Sequence, residues 1–251
     1  MREIQNLFLC FMMYCFIGWL WESIPASFRK KRFVNRGFLN GPWIPIYGVG
    51  AIMVYLILGD DNLNVIPLFL SSAILDVTLE YLTSWGMEEL FHARWWDYSE
   101  KPFNLNGRIC LLGFVVFGIF SVAVVDYLQP LFMSWVEKLS LLATNILFYT
   151  LATLFLTDLA FTLTEAFSIP QHLKKISLEV EQYRKEHLNL NPRDIMKIAI
   201  KLPKNMKSDL QSLSKKLHSY QAKRFANAFP KLKSKEYQEL LEEIKTFLTK
   251  D

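Results

Sequence analysis

Long apolar blocks dominate the chain between residues 7 and 163, and they restrict its fold more than any other feature. A helix needs about 20 apolar residues to cross the hydrocarbon core of a bilayer. The blocks cover residues 7–21, 46–58, 65–85, 109–128 and 139–163. The second is short unless Trp43 and Ile44 join it. A cleaved secretory signal needs a basic start and a small-residue cleavage site. Here Glu3 follows Arg2, and the run Arg29 to Arg32 follows the first block, which therefore reads as a retained helix.

Beyond residue 170 the pattern changes. Residues 1–170 carry 10 Lys and Arg against 14 Asp and Glu, and residues 171–251 carry 18 against 10. The net charges are −4 and +8. A basic stretch beside a membrane suits anionic lipid. No aromatic-and-basic motif points to nucleic acid. Leu173, Ile176, Val180 and Tyr183 form an amphipathic stripe. Met206, Leu210, Leu213, Leu217 and Tyr220 form a second, and Tyr237, Leu240, Leu241, Ile244 and Leu248 a third. Asn191 and Pro192 read as a helix cap and first turn. Such helices can form a small bundle.

Lys and Arg in short loops set orientation. The loop after the first block has five: Arg29, Lys30, Lys31, Arg32 and Arg36. Residues 59–64 have none, residues 86–108 have three, and residues 129–138 have one. The expected fold class is thus an all-α polytopic membrane protein with five transmembrane helices. Its N-terminus lies outside and its C-terminal helical region is cytoplasmic. The expected domains are 1–168, the transmembrane bundle, and 169–251, a basic cytoplasmic region.

Charges within a bilayer cost roughly 2.5–3.5 kcal/mol each on insertion scales. Those present need a purpose. Asp76 and Glu80 lie four apart on one helical face, and Asp158 and Glu165 share another. Glu22 follows Gly18 by one turn. In the expected orientation, Glu22, Glu80 and Glu165 lie at the cytoplasmic ends with Arg36, Arg94 and Arg108, while Asp76 and Asp158 lie deeper. These groups, with Asn35, Asn104 and Asn106, are expected to form one polar cluster on the inner half of the bundle. Arginines suit phosphates or carboxylates, and paired carboxylates suit cations or proton relays. A purely structural lock between helices is the alternative.

Two irregular segments adjoin this cluster. Residues 33–51, FVNRGFLNGPWIPIYGVGA, hold four glycines and two prolines. Irregular backbone at membrane depth is tolerated only where protein buries it or water reaches it. The segment is therefore expected to fold into the bundle and bring Asn35 and Arg36 to the carboxylates. In the second segment, Trp95, Trp96 and Tyr98 suit an interface belt, and Asp97, Asn104 and Asn106 suit turns. Glu89-x-x-His92 has metal-helix spacing, but a single copy predicts no metal. Cys10, Cys15 and Cys110 give no disulfide or zinc pattern and read as small packing residues. No cofactor is expected.

GWLWE at residues 18–22, FVNRGFLNGPWIPIYGVGA, and RWWDYSEKPFNLNGRICL at residues 94–111 occur in this order. With these motifs the chain resembles the type IV ABC-transporter permease family, the CmpB-like membrane proteins of bacteria. The resemblance covers about residues 7–165. It implies a multi-pass protein of the bacterial plasma membrane and a permease role. It draws attention to Gly18, Trp19 and Glu22 in the first motif. In the second it points to Asn35, Arg36, Gly37, Gly41, Pro42, Pro45, Tyr47 and Gly48, and in the third to Trp96, Asp97, Tyr98, Asn104, Asn106, Gly107 and Arg108. The chain has no G-x-x-x-x-G-K-[ST] phosphate loop, so a permease would need a separate ATP-binding subunit. Five spans are few for a pathway, so a homo-oligomer or partner is expected. Two other readings stay open. One is a membrane-embedded enzyme acting on lipid headgroups or lipid-linked substrates at the inner leaflet. It lacks a nucleophilic Ser–His or Cys–His arrangement. The other is a scaffold or sensor whose cytoplasmic helices bind a partner.

Overall fold

The computed structural model describes residues 1–59, 63–91, 93–187 and 233–234, with side chains to residue 167. The chain divides into two compact units. The first comprises Met1–Gly86 and Trp96–Thr162, the second Met87–Trp95 and the chain from Leu163. The expected stripes and cap beyond residue 187 lie outside the described residues, as does His92. The stripe at 173–183 lies beyond the described side chains.

The protein is predominantly helical. The helices are α1 (Arg2–Lys30), α2 (Pro45–Leu58), α3 (Val65–Phe91), α4 (Leu111–Ala123), α5 (Gln129–Glu137) and α6 (Leu141–His187). Four helical stretches are long and apolar enough to cross a membrane: Arg2–Lys30, Val65–Phe91, Leu111–Glu137 and Leu141–Phe167. Large apolar side chains such as Ile66, Ile74, Leu142 and Ile146 stand exposed along them. In water such a surface is a liability, and in lipid it is the expected one. Helix α2 is shorter, at 14 residues. Its length of about 21 Å at 1.5 Å per residue falls short of a hydrocarbon core of about 30 Å.

Two helix boundaries differ from expectation for identifiable reasons. The fourth span does not end at Leu128. Pro130 lacks an N–H and would crowd the carbonyl of residue 126 in a regular α-helix. The preceding residues Val124–Leu128 widen into a π-turn, in which the Gln129 N–H reaches the Val124 carbonyl. The helix then continues to Glu137, so the connector to α6 is 138–140 rather than 129–138. Likewise α1 runs eight residues past Glu22. It stops at Lys31 (φ 50°), where the Lys31 N–H reaches Phe28 O and the Arg32 N–H reaches Ser27 O. This paired closure satisfies the last carbonyls.

Between α1 and α2 the chain descends along α1. The Val34 N–H bonds to Ser27 Oγ at 3.0 Å, the Arg36 N–H to Ser23 Oγ at 3.1 Å, and the Ile44 N–H to Cys15 O at 3.0 Å. From Ser27 to Cys15 is about 18 Å of helix rise. The irregular segment thus covers the C-terminal half of α1, and α2 begins opposite its middle. Small residues permit this proximity. A Cβ on Gly18 would run into the Tyr47 ring, and one on Gly48 into Cys15 and Phe11. The core of the first unit joins Leu9, Cys10 and Tyr14 of α1 with Ala51 of α2, Val124 of the π-turn, and Phe132 and Val136 of α5. At the opposite end from the descending segment, Arg2 donates to Glu137 O and Leu139 O, both at 3.0 Å. That arginine covers helix-end carbonyls.

The loop from Trp96 to Cys110 closes on a small hairpin. Strands β2 (Asn104–Leu105) and β3 (Ile109–Cys110) pair antiparallel, Leu105 opposite Ile109. Asn106 and Gly107 carry positive φ values of 54° and 67°, and the Arg108 N–H returns to Leu105 O at 3.0 Å. This is the Asn-Gly turn that suits hairpin twist. In the second unit, β1 (Ala93–Arg94) pairs with β4 (Lys233–Ser234). There Phe91 packs against Trp95 and Phe167, with ring centroids 5.8 and 4.8 Å away.

Candidate functional site

The first unit divides most of the candidate residues among three local arrangements rather than gathering them into one cluster.

The first arrangement centres on Asp158 of α6. Its Oδ1 accepts hydrogen bonds from the Asn40 backbone N–H (3.0 Å), Asn40 Nδ2 (2.8 Å) and Thr162 Oγ1 (3.2 Å). Its Oδ2 accepts from the Gly41 N–H (2.7 Å) and Trp43 Nε1 (2.9 Å). Five donors on one carboxylate compensate its charge and tie the irregular segment to α6. Asn35 braces that segment from within. Its Oδ1 accepts from Trp19 Nε1 (2.9 Å) and the Gly37 N–H (2.8 Å), and its Nδ2 donates to Asn40 O (2.8 Å). The expectation that Asn35 reaches the carboxylates gives way here to Asn40. Asn40 is a residue of the same motif that composition alone did not single out. Its side chain is short enough to turn toward Asp158 while its own N–H does the same.

The second arrangement surrounds a cavity of about 80 Å³. Tyr14 and Gly18 of α1, Tyr47 and Gly50 of α2, Asp76 and Glu80 of α3, and Phe117 and Ser121 of α4 contribute to its wall. Asp76 and Glu80 share the face that their spacing predicts. Ser121 Oγ donates to Asp76 Oδ2 at 2.6 Å, and Tyr98 Oη donates to Glu80 Oε1 at 3.2 Å. Glu80 is buried, at 5% exposure, and its Oε2 has no hydrogen-bond partner among the described residues. Tyr47 Oη donates to Glu22 Oε1 at 2.9 Å. Glu22 pairs loosely with Arg36, 3.8 Å apart, with side chains 37% and 28% exposed. At that distance and exposure the ion pair adds little stability. Tyr98 lies in the loop outside the helices, where burial, with the Glu80 and Glu22 carboxylates nearby, pushes its phenol up.

The third arrangement is the loop that carries Tyr98. The Tyr98 N–H bonds to Gly107 O at 2.7 Å, and Trp96 Nε1 to Arg108 O at 3.1 Å. Asp97 accepts from the Ser99 N–H and hydroxyl. Asn104 Nδ2 donates to Lys101 O at 2.8 Å, and its Oδ1 accepts from the Gly107 N–H at 3.0 Å. Asn106 Nδ2 reaches Tyr81 Oη at 3.0 Å. Arg108 is buried, with Nη1 on Ser84 Oγ at 3.2 Å and Cζ 5.6 Å from the Tyr81 ring centre. Asp97, Asn104 and Asn106 shape the loop, and Tyr98 carries it to Glu80. Arg94 belongs to the second unit, where it pairs with buried Glu88 at 3.0 Å.

Several participants escaped sequence reasoning. Ser72 and Ser84 extend the Asp76–Glu80 face, and both are buried. A polar residue at every fourth position of an apolar helix was the available signal. Ser121 lies in a mostly apolar block, and nothing in its spacing marks it. Among the described residues no group of three or more His, Cys, Asp or Glu could hold a metal ion.

Four membrane-length apolar helices around polar side chains define a multi-pass membrane protein. The model of the family described as "Putative ABC-transporter type IV" matches residues 9–163, and the chain belongs to that family. The match takes in the descending segment, the cavity and the Asp158 lock. No curated protein and no solved structure matches the chain.

Proposed function

We propose that the first unit is the membrane-embedded part of a transport complex of the ABC type, with its working site at the carboxylate-lined cavity. The observation that carries this reading is the cavity itself. Asp76 and Glu80 line it, and Tyr47 of the same wall holds Glu22, within a family of transporter type. Helical packing alone does not require buried acids at such cost. In this reading Tyr47 and Tyr98 orient the acids. Asp158, Asn35 and Asn40 hold the segment that starts α2 at mid-depth, and Asp97, Asn104, Asn106 and Arg108 hold the Tyr98 loop. Arg36 adds positive charge beside Glu22.

We further read five crossings. The fifth combines the irregular descent with α2, so that 31–58 together span what α2 alone does not. Residues 1–168 form the membrane domain and 169–251 a basic cytoplasmic region. The N-terminus is outside, in the plasma membrane of a bacterium. A separate ATP-binding subunit supplies energy, since this chain lacks the phosphate loop, and a second copy or partner completes the pathway.

The cavity volume favours a small species. At about 30 Å³ per water, it has room for a few waters, not a lipid headgroup, so the headgroup-enzyme reading stands second. The test is purification in mild detergent with mass spectrometry of what accompanies the chain. A stoichiometric ATP-binding subunit supports the transport reading. A lone chain carrying a bound phospholipid, with no such subunit, overturns it in favour of the enzyme.

A further inference from the structure

We propose that Glu80 binds and releases a proton, exchanging it with water through Tyr47 and Glu22. The proposal deepens the transport reading, on which it rests for the membrane setting, by assigning the ion that the cavity takes.

Three features point to a proton. Glu80 is 95% buried, the complement of its 5% exposure, and one of its oxygens has no donor. Neither Glu80 nor Asp76 forms an ion pair among the described residues. A carboxylate left so in an apolar wall is costly, and one proton removes the charge without further ligands. Gly113 of α4 packs beside the uncovered oxygen. A Cβ there would lie 3.6 Å from Glu80 Oε2. A metal cation such as calcium takes six or more oxygens, and sites for hard cations are built from convergent carboxylates and carbonyls. Apart from Tyr14, Tyr47, Asp76, Glu80 and Ser121, this cavity is walled by aliphatic, aromatic and glycine residues.

The route is on the same wall. Glu22 is partly exposed, and Tyr47 both lines the cavity and donates to Glu22 Oε1 at 2.9 Å. A protonated Glu22 gives its proton to the Tyr47 oxygen while Tyr47 passes its own O–H proton to a cavity water. That water gives a proton to the carboxylate of Glu80, which lines the same cavity. Glu22 ends as a carboxylate, Tyr47 ends neutral and Glu80 ends as the acid. Nothing is oxidised or reduced, and the reverse sequence releases the proton. The titratable and charged groups facing Glu80 are Glu22 and Tyr14 from α1, with Arg36 beyond Glu22, and Tyr47 from α2. Asp76 lies on its own helix, and Tyr98 and Cys110 come from the hairpin loop.

The experiment is infrared difference spectroscopy of the purified full chain in lipid bilayers, titrated with acid and base in potassium and in sodium buffers. A buried carboxylic acid gives a C=O band that shifts in heavy water. The wild type is expected to show such a band that titrates, and Glu80→Gln to lose it. Tyr98→Phe keeps the carboxyl but removes the hydrogen bond to Oε1, so the band is expected to move to higher frequency. If Glu80→Gln does not fold, the Tyr98→Phe shift decides. Three results would overturn the proposal: no titrating carboxyl band, a band indifferent to both substitutions, or a midpoint that moves with sodium concentration, which assigns the site to a metal cation. No ATP-binding subunit is needed, so failure here leaves the transport reading standing, and failure of the copurification leaves this result intact.

Discussion

Replacing Asp158 by Asn tests how the irregular segment is held. The side chain keeps its size and one acceptor oxygen. In either orientation its new NH2 faces donors. With the amide nitrogen at the Oδ2 position, the Gly41 N–H and Trp43 Nε1 lose their acceptor, now 2.7 and 2.9 Å away. With the nitrogen at Oδ1, the two Asn40 donors lose theirs, at 3.0 and 2.8 Å. Each orphaned donor costs about 1–3 kcal/mol when buried. The site is only partly buried, so values near the low end apply, and the expected loss is about 2–4 kcal/mol. Asp158→Ala removes both oxygens and should cost about 3–6 kcal/mol by the same count. Thr162→Val deletes a single donor at 3.2 Å and should cost no more than about 1 kcal/mol. The assay is reversible unfolding of the purified chain in mixed micelles by added denaturing detergent, followed by tryptophan fluorescence, to which Trp43 contributes. If Asp158→Asn lies within about 0.5 kcal/mol of wild type, the range of an ordinary surface change, the lock is not what holds residues 31–44, and the explanation given for their descent fails.

Other perturbations reach the neighbouring parts. Gly18→Ala drives a methyl into the Tyr47 ring and should cost about 1–3 kcal/mol as an overpacked contact. The same unfolding assay checks it, and an unchanged midpoint would mean that α2 does not lie so close to α1. Tyr98 should give an alkaline signature. Its phenol is raised by burial, so the unfolded chain ionises first, near pH 10. Its stabilising contribution is whole below that pH and is lost as pH rises toward the folded value. Wild type should therefore lose up to about 1.4 kcal/mol per pH unit more steeply than Tyr98→Phe above pH 10. Parallel curves for the two proteins would mean that Tyr98 ionises freely in the folded state.

The apolar blocks carried the helical fold because period and length are local properties of the chain. The helix ends were harder to read. The fourth block was expected to end at Leu128, yet a π-turn over Val124–Leu128 carries the helix on past Pro130, and no composition rule distinguishes these outcomes. The candidate site was legible one residue at a time, not as a geometry. Asp76 and Glu80 share a face because a helix fixes that relation. The partners Ser121 and Tyr98 lie 45 and 18 residues away in the chain, and only tertiary packing selects them. Asp158 and the inner acids share the chemistry that led to one expected cluster. Asp158 is instead surrounded by donors from the 40–43 stretch, because the backbone N–H groups of Asn40 and Gly41 lie outside any helix or strand and bond to it.

The central claim is that the carboxylate cavity opens to the cytoplasmic face of a membrane-crossing bundle, with Glu22 at its mouth. The direct measurement is side-specific labelling of Glu22→Cys by a membrane-impermeant maleimide. The background is a chain whose Cys10, Cys15 and Cys110 are replaced by alanine. Ser140→Cys, in the connector at the other end, serves as the reference. The account predicts that Glu22→Cys reacts in inverted vesicles and not in intact cells, and that Ser140→Cys does the reverse. Labelling of Glu22→Cys from outside only, or of both positions from one side, would contradict it.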